Sequence, residues 1–147
     1  MLLTSKGRYA VMALVDIAMQ VKQSDNDFSK IISLADISER QNITIPYLEQ
    51  IFSKLKNAGI VKSSRGPGGG YSLAKPANEI HISEIINAVD DKIKMVRCNS
   101  EENSGCLATK AKCATHDLWD NLENYVDGFF QKISLTDVIE KRFGNCG

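Results

Sequence analysis

The segment Arg65–Gly70, "RGPGGG", constrains the fold more than any other stretch of this 147-residue chain. Four glycines and a proline in six residues leave nothing to sustain a helix or a strand interior, so the segment must be a turn. The flanking "IVKSS" (60–64) and "GYSLAK" (70–75) have strand-like composition. Together they predict a β-hairpin with the glycine-rich loop at its tip.

That hairpin fixes how the residues before it are read. Ser33 followed by Asp36 resembles a capping box, which opens a short helix at Leu34 that ends near Gln41. Asn42 and Ile43 supply a tight turn. Thr44 can cap a second helix, and Pro46 sits in its first turn, where a missing N–H costs little. Leu48, Ile51, Phe52 and Leu55 form the buried stripe of that helix, and Gly59 ends it as a C-cap would. Two helices joined by a short turn and followed by a hairpin make a winged helix-turn-helix. An αα-hairpin with a decorative ribbon gives the same pattern and competes with it.

The remaining elements follow from periodicity. Val11, Leu14, Ile17, Ala18 and Val21 predict a first helix from Thr4 or Ser5 to about Val21, with Asp16 interrupting its apolar run. No basic segment precedes that run, and no stretch approaches the roughly 20 apolar residues of a membrane span, so no membrane partner is expected and the cytoplasm is the expected location. "KQSDNDFSK" (22–30) reads as a loop. Ile82, Ile85, Ile86 and Val89 predict a further core helix within 82–93, with His81 before it as a surface or capping residue. "HDLWDNLENYVDGFFQKI" (116–133) predicts a long amphipathic helix. Leu118, Leu122, Tyr125, Val126, Phe129 and Ile133 share one stripe, extended by Trp119 and Phe130. So much apolar surface beyond a domain with its own core points to a partner subunit, with folding back onto the domain as the alternative. A short last helix follows within 134–143, capped by Ser134 or Thr136.

The expected fold class is therefore mainly α with a small β-hairpin wing: a winged helix-turn-helix plus a long C-terminal dimerisation helix. Residues 1–80 form the DNA-binding domain, 81–116 the connecting helix and ion-binding loop, and 117–147 the dimerisation helix and tail.

Charge agrees with a division of labour. The formal net charge is zero, yet residues 1–75 carry ten Lys and Arg against six Asp and Glu, a balance of +4. Residues 98–147 carry five against eight, a balance of −3. Such a chain suits contact with an anion through its front half. Opposite the buried stripe, the second helix of the pair presents Ile45, Tyr47, Glu49, Gln50 and Lys54. Gln50 can pair with an adenine edge and Glu49 can accept from a cytosine amino group in the major groove. Arg65, at the root of the wing, suits the minor groove, and the bare glycine backbone beside it can approach phosphates. No nucleophile–base pair or carboxylate pair stands out, so an enzyme is not expected.

Cys98, Cys106, Cys113 and His116 place three of the four cysteines and one of the two histidines within nineteen residues. Their spacing is Cys-x7-Cys-x6-Cys-x2-His, and the intervening "NSEENSG" and "LATKAK" read as a loop able to wrap an ion. A reducing compartment disfavours a disulfide. Three thiolates and an imidazole complete a four-ligand set, which suits structural Zn2+ or a [2Fe–2S] cluster. The spacing leaves both open. Cys146 is not expected to be a ligand.

Five stretches together resemble the winged-helix family of iron–sulfur cluster regulators: "LTSKGRYAV" (3–11), "LADISERQ" (34–41), "YLEQIFSKL" (47–55), "RGPGGGY" (65–71) and "THDLWDNL" (115–122). The resemblance spans about residues 2–143. It implies a cytoplasmic, homodimeric transcription factor that binds double-stranded operator DNA and carries a [2Fe–2S] cluster on Cys98, Cys106, Cys113 and His116. The cluster would come from the iron–sulfur assembly machinery, and the loaded protein would repress the genes of that machinery. Carried over, the DNA-facing residues are Tyr9, Thr44, Pro46, Tyr47, Glu49, Gln50 and Arg65. Pro46 stands where that family usually has a small polar residue, and the ligand intervals of seven and six are slightly longer than its pattern. A zinc-stabilised repressor without sensing, and a cluster carrier or redox protein, are the alternatives.

Overall fold

The structure is a computed structural model that describes residues 5–90, 107 and 111–144. Its helices are α1 (Ser5–Gln23), α2 (Leu34–Gln41), α3 (Ile45–Asn57), α4 (Ile82–Val89), α5 (His116–Lys132) and α6 (Leu135–Glu140). Strands β1 (Val61–Ser64) and β2 (Gly70–Leu73) lie between α3 and α4, and a 3-10 turn covers Ala77–Glu79. This is the predicted order, a mainly helical fold with a two-stranded wing.

One core joins Leu14 and Ile17 of α1, Ile37 of α2, Phe52 of α3, Ile85 of α4 and Leu135 of α6. All four residues of the predicted α3 stripe are buried. Each such side chain contributes about 1.5–3 kcal/mol of burial free energy, which fixes α3 by its inner face and leaves its outer face to solvent.

Asp16 does more than interrupt an apolar run. It is 3% exposed in the middle of α1, and its carboxylate accepts from Arg40 Nε at 2.9 Å, Arg40 Nη2 at 2.8 Å and Gln41 Nε2 at 3.0 Å. The last turn of α2 is thereby clamped to α1 through a forked, charge-assisted pair. Asn42 then reverses the chain in the left-handed region, at φ 55° and ψ 45°.

The helix ends divide between expected and unexpected devices. Ser33 Oγ accepts the Asp36 N–H at 3.1 Å, as predicted. Thr44 occupies the N-cap position of α3, but its side chain makes no capping hydrogen bond. Pro46, at the second position, has no N–H to offer, which leaves the Tyr47 N–H as the amide that a cap at Thr44 could take. At the other end Ala58 is the C-cap. Gly59 lies one residue beyond it with φ 76°. The Gly59 N–H donates to Lys56 O and the Ile60 N–H to Leu55 O, both at 3.0 Å. That pair of bonds is a Schellman closure.

The chain after α5 returns to the same core. Ile82 N–H donates to Ile133 O and Leu135 N–H to Ile80 O, both at 2.9 Å, so residues 80–82 and 133–135 form a short antiparallel bridge. Ser134, not Thr136, caps α6: its Oγ accepts the Asp137 N–H, and the Asp137 carboxylate accepts the Ser134 N–H at 2.9 Å. The Ser134 N–H, and after it the Ser134 hydroxyl donating to Asp137 Oδ2 at 2.9 Å, hold the Asp137 carboxyl below its ordinary range. His81 is the N-cap of α4, and its N–H donates to Glu84 Oε2 at 2.8 Å.

Helix α5 behaves differently from the others. None of its residues is buried. Leu118 is 60% and Tyr125 77% exposed, whereas Phe129 and Phe130 pack against the core. Only the last turns of α5 belong to the domain. Among the described residues, no helix is long and apolar enough to cross a membrane.

The Asp16–Arg40 pair makes an asymmetric prediction, measurable by urea unfolding. Arg40→Ala strands a buried carboxylate and is expected to cost about 3–5 kcal/mol. Asp16→Ala leaves a partly exposed guanidinium that can turn to water, at about 1–3 kcal/mol. Equal losses, or the reverse order, would contradict the burial of the charge as the cause.

Candidate nucleic-acid interface and metal-ligand segment

The outer face of α3 presents Ile45, Pro46, Glu49 and Gln50 to solvent, with Thr44 exposed just before them. All five stand at the N-terminal half of the second helix of the pair, which is the part that reaches base edges in helix-turn-helix proteins. Lys54, predicted on the same face, has another engagement. Its Nζ donates to Val89 O at 3.3 Å, at the C-terminal end of α4.

Tyr47 is half-buried, and its ring meets Tyr9 of α1 edge-on, with centroids 5.6 Å apart and planes at 87°. The contact brings two sequence-predicted residues from different helices to one place. Burial, with smaller contributions from Tyr9 and Asp90, pushes the Tyr47 phenol above its ordinary pKa. Its hydroxyl is therefore a neutral hydrogen-bond donor, a group suited to a phosphate oxygen.

Arg65 is exposed where the chain leaves β1. The wing pairs Val61 with Leu73 and Ser64 with Gly70, and the Gly69 N–H closes the loop onto Gly66 O at 2.9 Å. Gly66 holds φ 93°, a conformation that side-chain-bearing residues rarely adopt. Ile32 adds a third rung: its N–H donates to Tyr71 O at 2.8 Å and its carbonyl accepts the Tyr71 N–H at 2.9 Å. A Cβ on Gly70 would lie 2.2 Å from Ile32 O. Glycine at 70 is thus what lets the wing lie against the segment leading into α2.

One participant had no sequence signal. The Gly7 N–H, in the first turn of α1, donates to Asp90 Oδ2 at 3.1 Å across a separation of 83 residues. No acidic residue lies in the first turn of α1 itself, so the carboxylate favoured at a helix N-terminus comes from the end of α4. Asp90 shares a groove of about 610 Å³ with Lys6, Lys54, Asn57 and Asn87.

Of the four expected metal ligands, Cys113 and His116 are described, and Cys98 and Cys106 lie outside the described residues. Cys113 and His116 share one turn: the His116 N–H donates to Cys113 O at 3.1 Å, and both side chains are half-buried. Thr115 holds the N-cap position of α5 with no side-chain cap bond. Its hydroxyl instead lies 3.5 Å from Cys113 Sγ and accepts the Trp119 Nε1–H at 3.3 Å. Cys113 thus sits just ahead of a helix N-terminus, beside a hydroxyl that can donate to its sulfur, the kind of outer contact that orients a metal ligand. The described half of the donor set therefore fits a thiolate–imidazole site. Among the described residues no three His, Cys, Asp or Glu side chains converge to hold a metal ion, so that half needs further donors.

Comparison with known proteins agrees with these features. A family model described as Rrf2, an iron-dependent transcriptional regulator, matches residues 3–141. The chain is 41% identical over 146 residues to the HTH-type transcriptional regulator IscR of Cereibacter sphaeroides, covering 99% of this chain and 92% of that protein. It is 46% identical over 142 residues to the regulator IscR of Photorhabdus laumondii, covering 97% and 81%. Among solved structures, T. potens IscR superposes with a TM-score of 0.73 at 28% identity, covering 96% of this chain and 88% of the other.

Gly70→Ala is expected to destabilise the protein by about 1–3 kcal/mol, as overpacking against backbone does. Amide exchange should rise at Ile32 and Tyr71 in particular. A variant with wild-type stability and protection at those two amides would show that the wing does not depend on this close approach.

Proposed function

Since the chain belongs to the Rrf2 family of iron-dependent transcriptional regulators, we propose that it is a homodimeric repressor whose DNA binding responds to a [2Fe–2S] cluster on Cys98, Cys106, Cys113 and His116. Its targets are then the genes of iron–sulfur cluster assembly, and the assembly machinery is the donor of the cluster. As a DNA-binding transcriptional regulator it is not an enzyme. The observation that carries the proposal is the shared turn of Cys113 and His116 at the start of α5, in a chain whose relatives are named IscR. When bound, the cluster supplies an occupancy that follows iron–sulfur supply. His116 can hold iron only as the neutral imidazole, so protons compete for that position.

The DNA side of the proposal uses Thr44, Pro46, Glu49 and Gln50 at the major groove, Arg65 at the minor groove, and Tyr9 with Tyr47 at the backbone. The dimer side uses α5. Leu118, Trp119, Leu122 and Tyr125 are all exposed, an apolar stripe of the kind that a second copy of the same helix covers. The stripe starts two residues after His116, so whatever holds His116 also bears on the start of the dimer helix.

Anaerobic purification followed by iron, sulfide and zinc analysis tests the cofactor. Two irons and two sulfides per chain, with visible absorption, are expected. A colourless protein with one zinc would overturn the cluster in favour of a structural metal. Loss of binding to cluster-assembly promoters in both loaded and metal-free protein would overturn the assignment of targets. For the dimer, Leu122→Glu is expected to shift sedimentation from two chains to one while the melting of the winged-helix core persists. An unchanged dimer would exclude α5 as its main contact.

A further inference from the structure

We infer that Asp90 is a positioning residue for DNA recognition: it holds the N-terminus of α1 against the recognition helix, and it does so at the last residue before the segment that carries the cluster ligands. The inference rests on α3 being the DNA-reading helix.

Three bonds meet at this residue or beside it. The Asp90 N–H donates to Ile86 O at 2.9 Å, which fixes its backbone to the end of α4. Its carboxylate accepts the Gly7 N–H of α1. Lys54 of α3 reaches the carbonyl of the neighbouring Val89. The ends of α1 and α4 and the flank of α3 are thus tied together within two consecutive residues. Helix dipoles favour the arrangement, because a carboxylate faces the positive end of α1 and a lysine faces the negative end of α4.

The path from Asp90 to the DNA face is short. Gly7 is two residues from Tyr9, whose ring stands against Tyr47 in the first turn of α3. Releasing the first turn of α1 therefore loosens the support on which Tyr47, and with it the base-reading start of α3, is placed. In sequence, the residue after Asp90 begins the stretch that leads to Cys98.

Binding of a duplex selected by the wild-type protein from a randomised pool tests this, measured on metal-free protein by fluorescence anisotropy. Charge alone predicts that removing an acid strengthens binding to a polyanion. Positioning predicts the opposite sign: Asp90→Ala should bind about five- to tenfold more weakly, the size of a lost helix cap, with an unchanged salt slope. Asp90→Asn keeps an acceptor for the Gly7 N–H and should recover most of the affinity. In a Tyr9→Ala background the Asp90→Ala loss should shrink, since both act through the same contact.

Equal or tighter binding by a folded Asp90→Ala protein overturns the inference. If that variant does not fold, hydrogen exchange on the wild type still decides, because a Gly7 amide exchanging as fast as an unstructured one also overturns it. Gln50→Ala, measured alongside, separates the two levels. If Gln50→Ala binds as the wild type does, the assignment of α3 falls and Asp90's role with it. If Gln50→Ala weakens binding and Asp90→Ala does not, only the role of Asp90 falls.

Discussion

The buried carboxylate of Asp16 is the constraint on which the orientation of the DNA-binding half depends. Apolar packing alone would let α2 slide along α1, because Ile37 is the one buried residue α2 contributes. The forked pair with Arg40 and the added bond from Gln41 allow only one register. A buried ion pair adds little net stability over a well-packed apolar alternative, and its use lies in specificity. Here the specificity is directional. With α2 fixed, the Asn42 turn and the Thr44–Pro46 start of α3 follow, and the outer face of α3 points one way.

The two functional ends of the molecule obey different rules. The end that holds the candidate DNA-facing residues is built on α3, buried on its inner side, and on the wing, whose β2 is paired with β1 on one edge and with Ile32 on the other. The end that holds Cys113 and His116 is built on a helix start. Thr115 spends its hydroxyl on Cys113 and Trp119 and not on capping α5, so the first turn of that helix is less supported by its own cap than those of α2 or α6. A helix start without its side-chain cap is one that an outside tie, such as a metal bond to His116, can firm up.

How much of this was legible in the chain depended on the range of the interaction. The buried stripes of α1, α3 and α4, the existence of α5, the Ser33 cap and the glycine-rich wing all come from signals within a few residues, and they were read correctly. Thr44 shows a local rule that the structure does not follow: a good capping residue holds the N-cap position of α3 without a side-chain cap bond. Asp16 looked like an interruption because its partners lie 24 and 25 residues away. Asp90 gave no signal, since a cap supplied across 83 residues has no sequence spacing to recognise. The spacing of Cys98, Cys106, Cys113 and His116 proposes a ligand set without naming its metal, because zinc and a cluster accept the same donor types.

The bridge between residues 80–82 and 133–135 has one more implication. The backbone is tied to one core at the end of α4 and again at Ile133 to Leu135, so the connection between those two points is held at both ends. For a chain running between two fixed points, each doubling of length costs only about 0.6 kcal/mol. A change in the length of a connection tied at both ends therefore costs the core little. The seven- and six-residue intervals between Cys98, Cys106 and Cys113 fall inside that connection, so their length is set apart from the geometry of α3 and the wing.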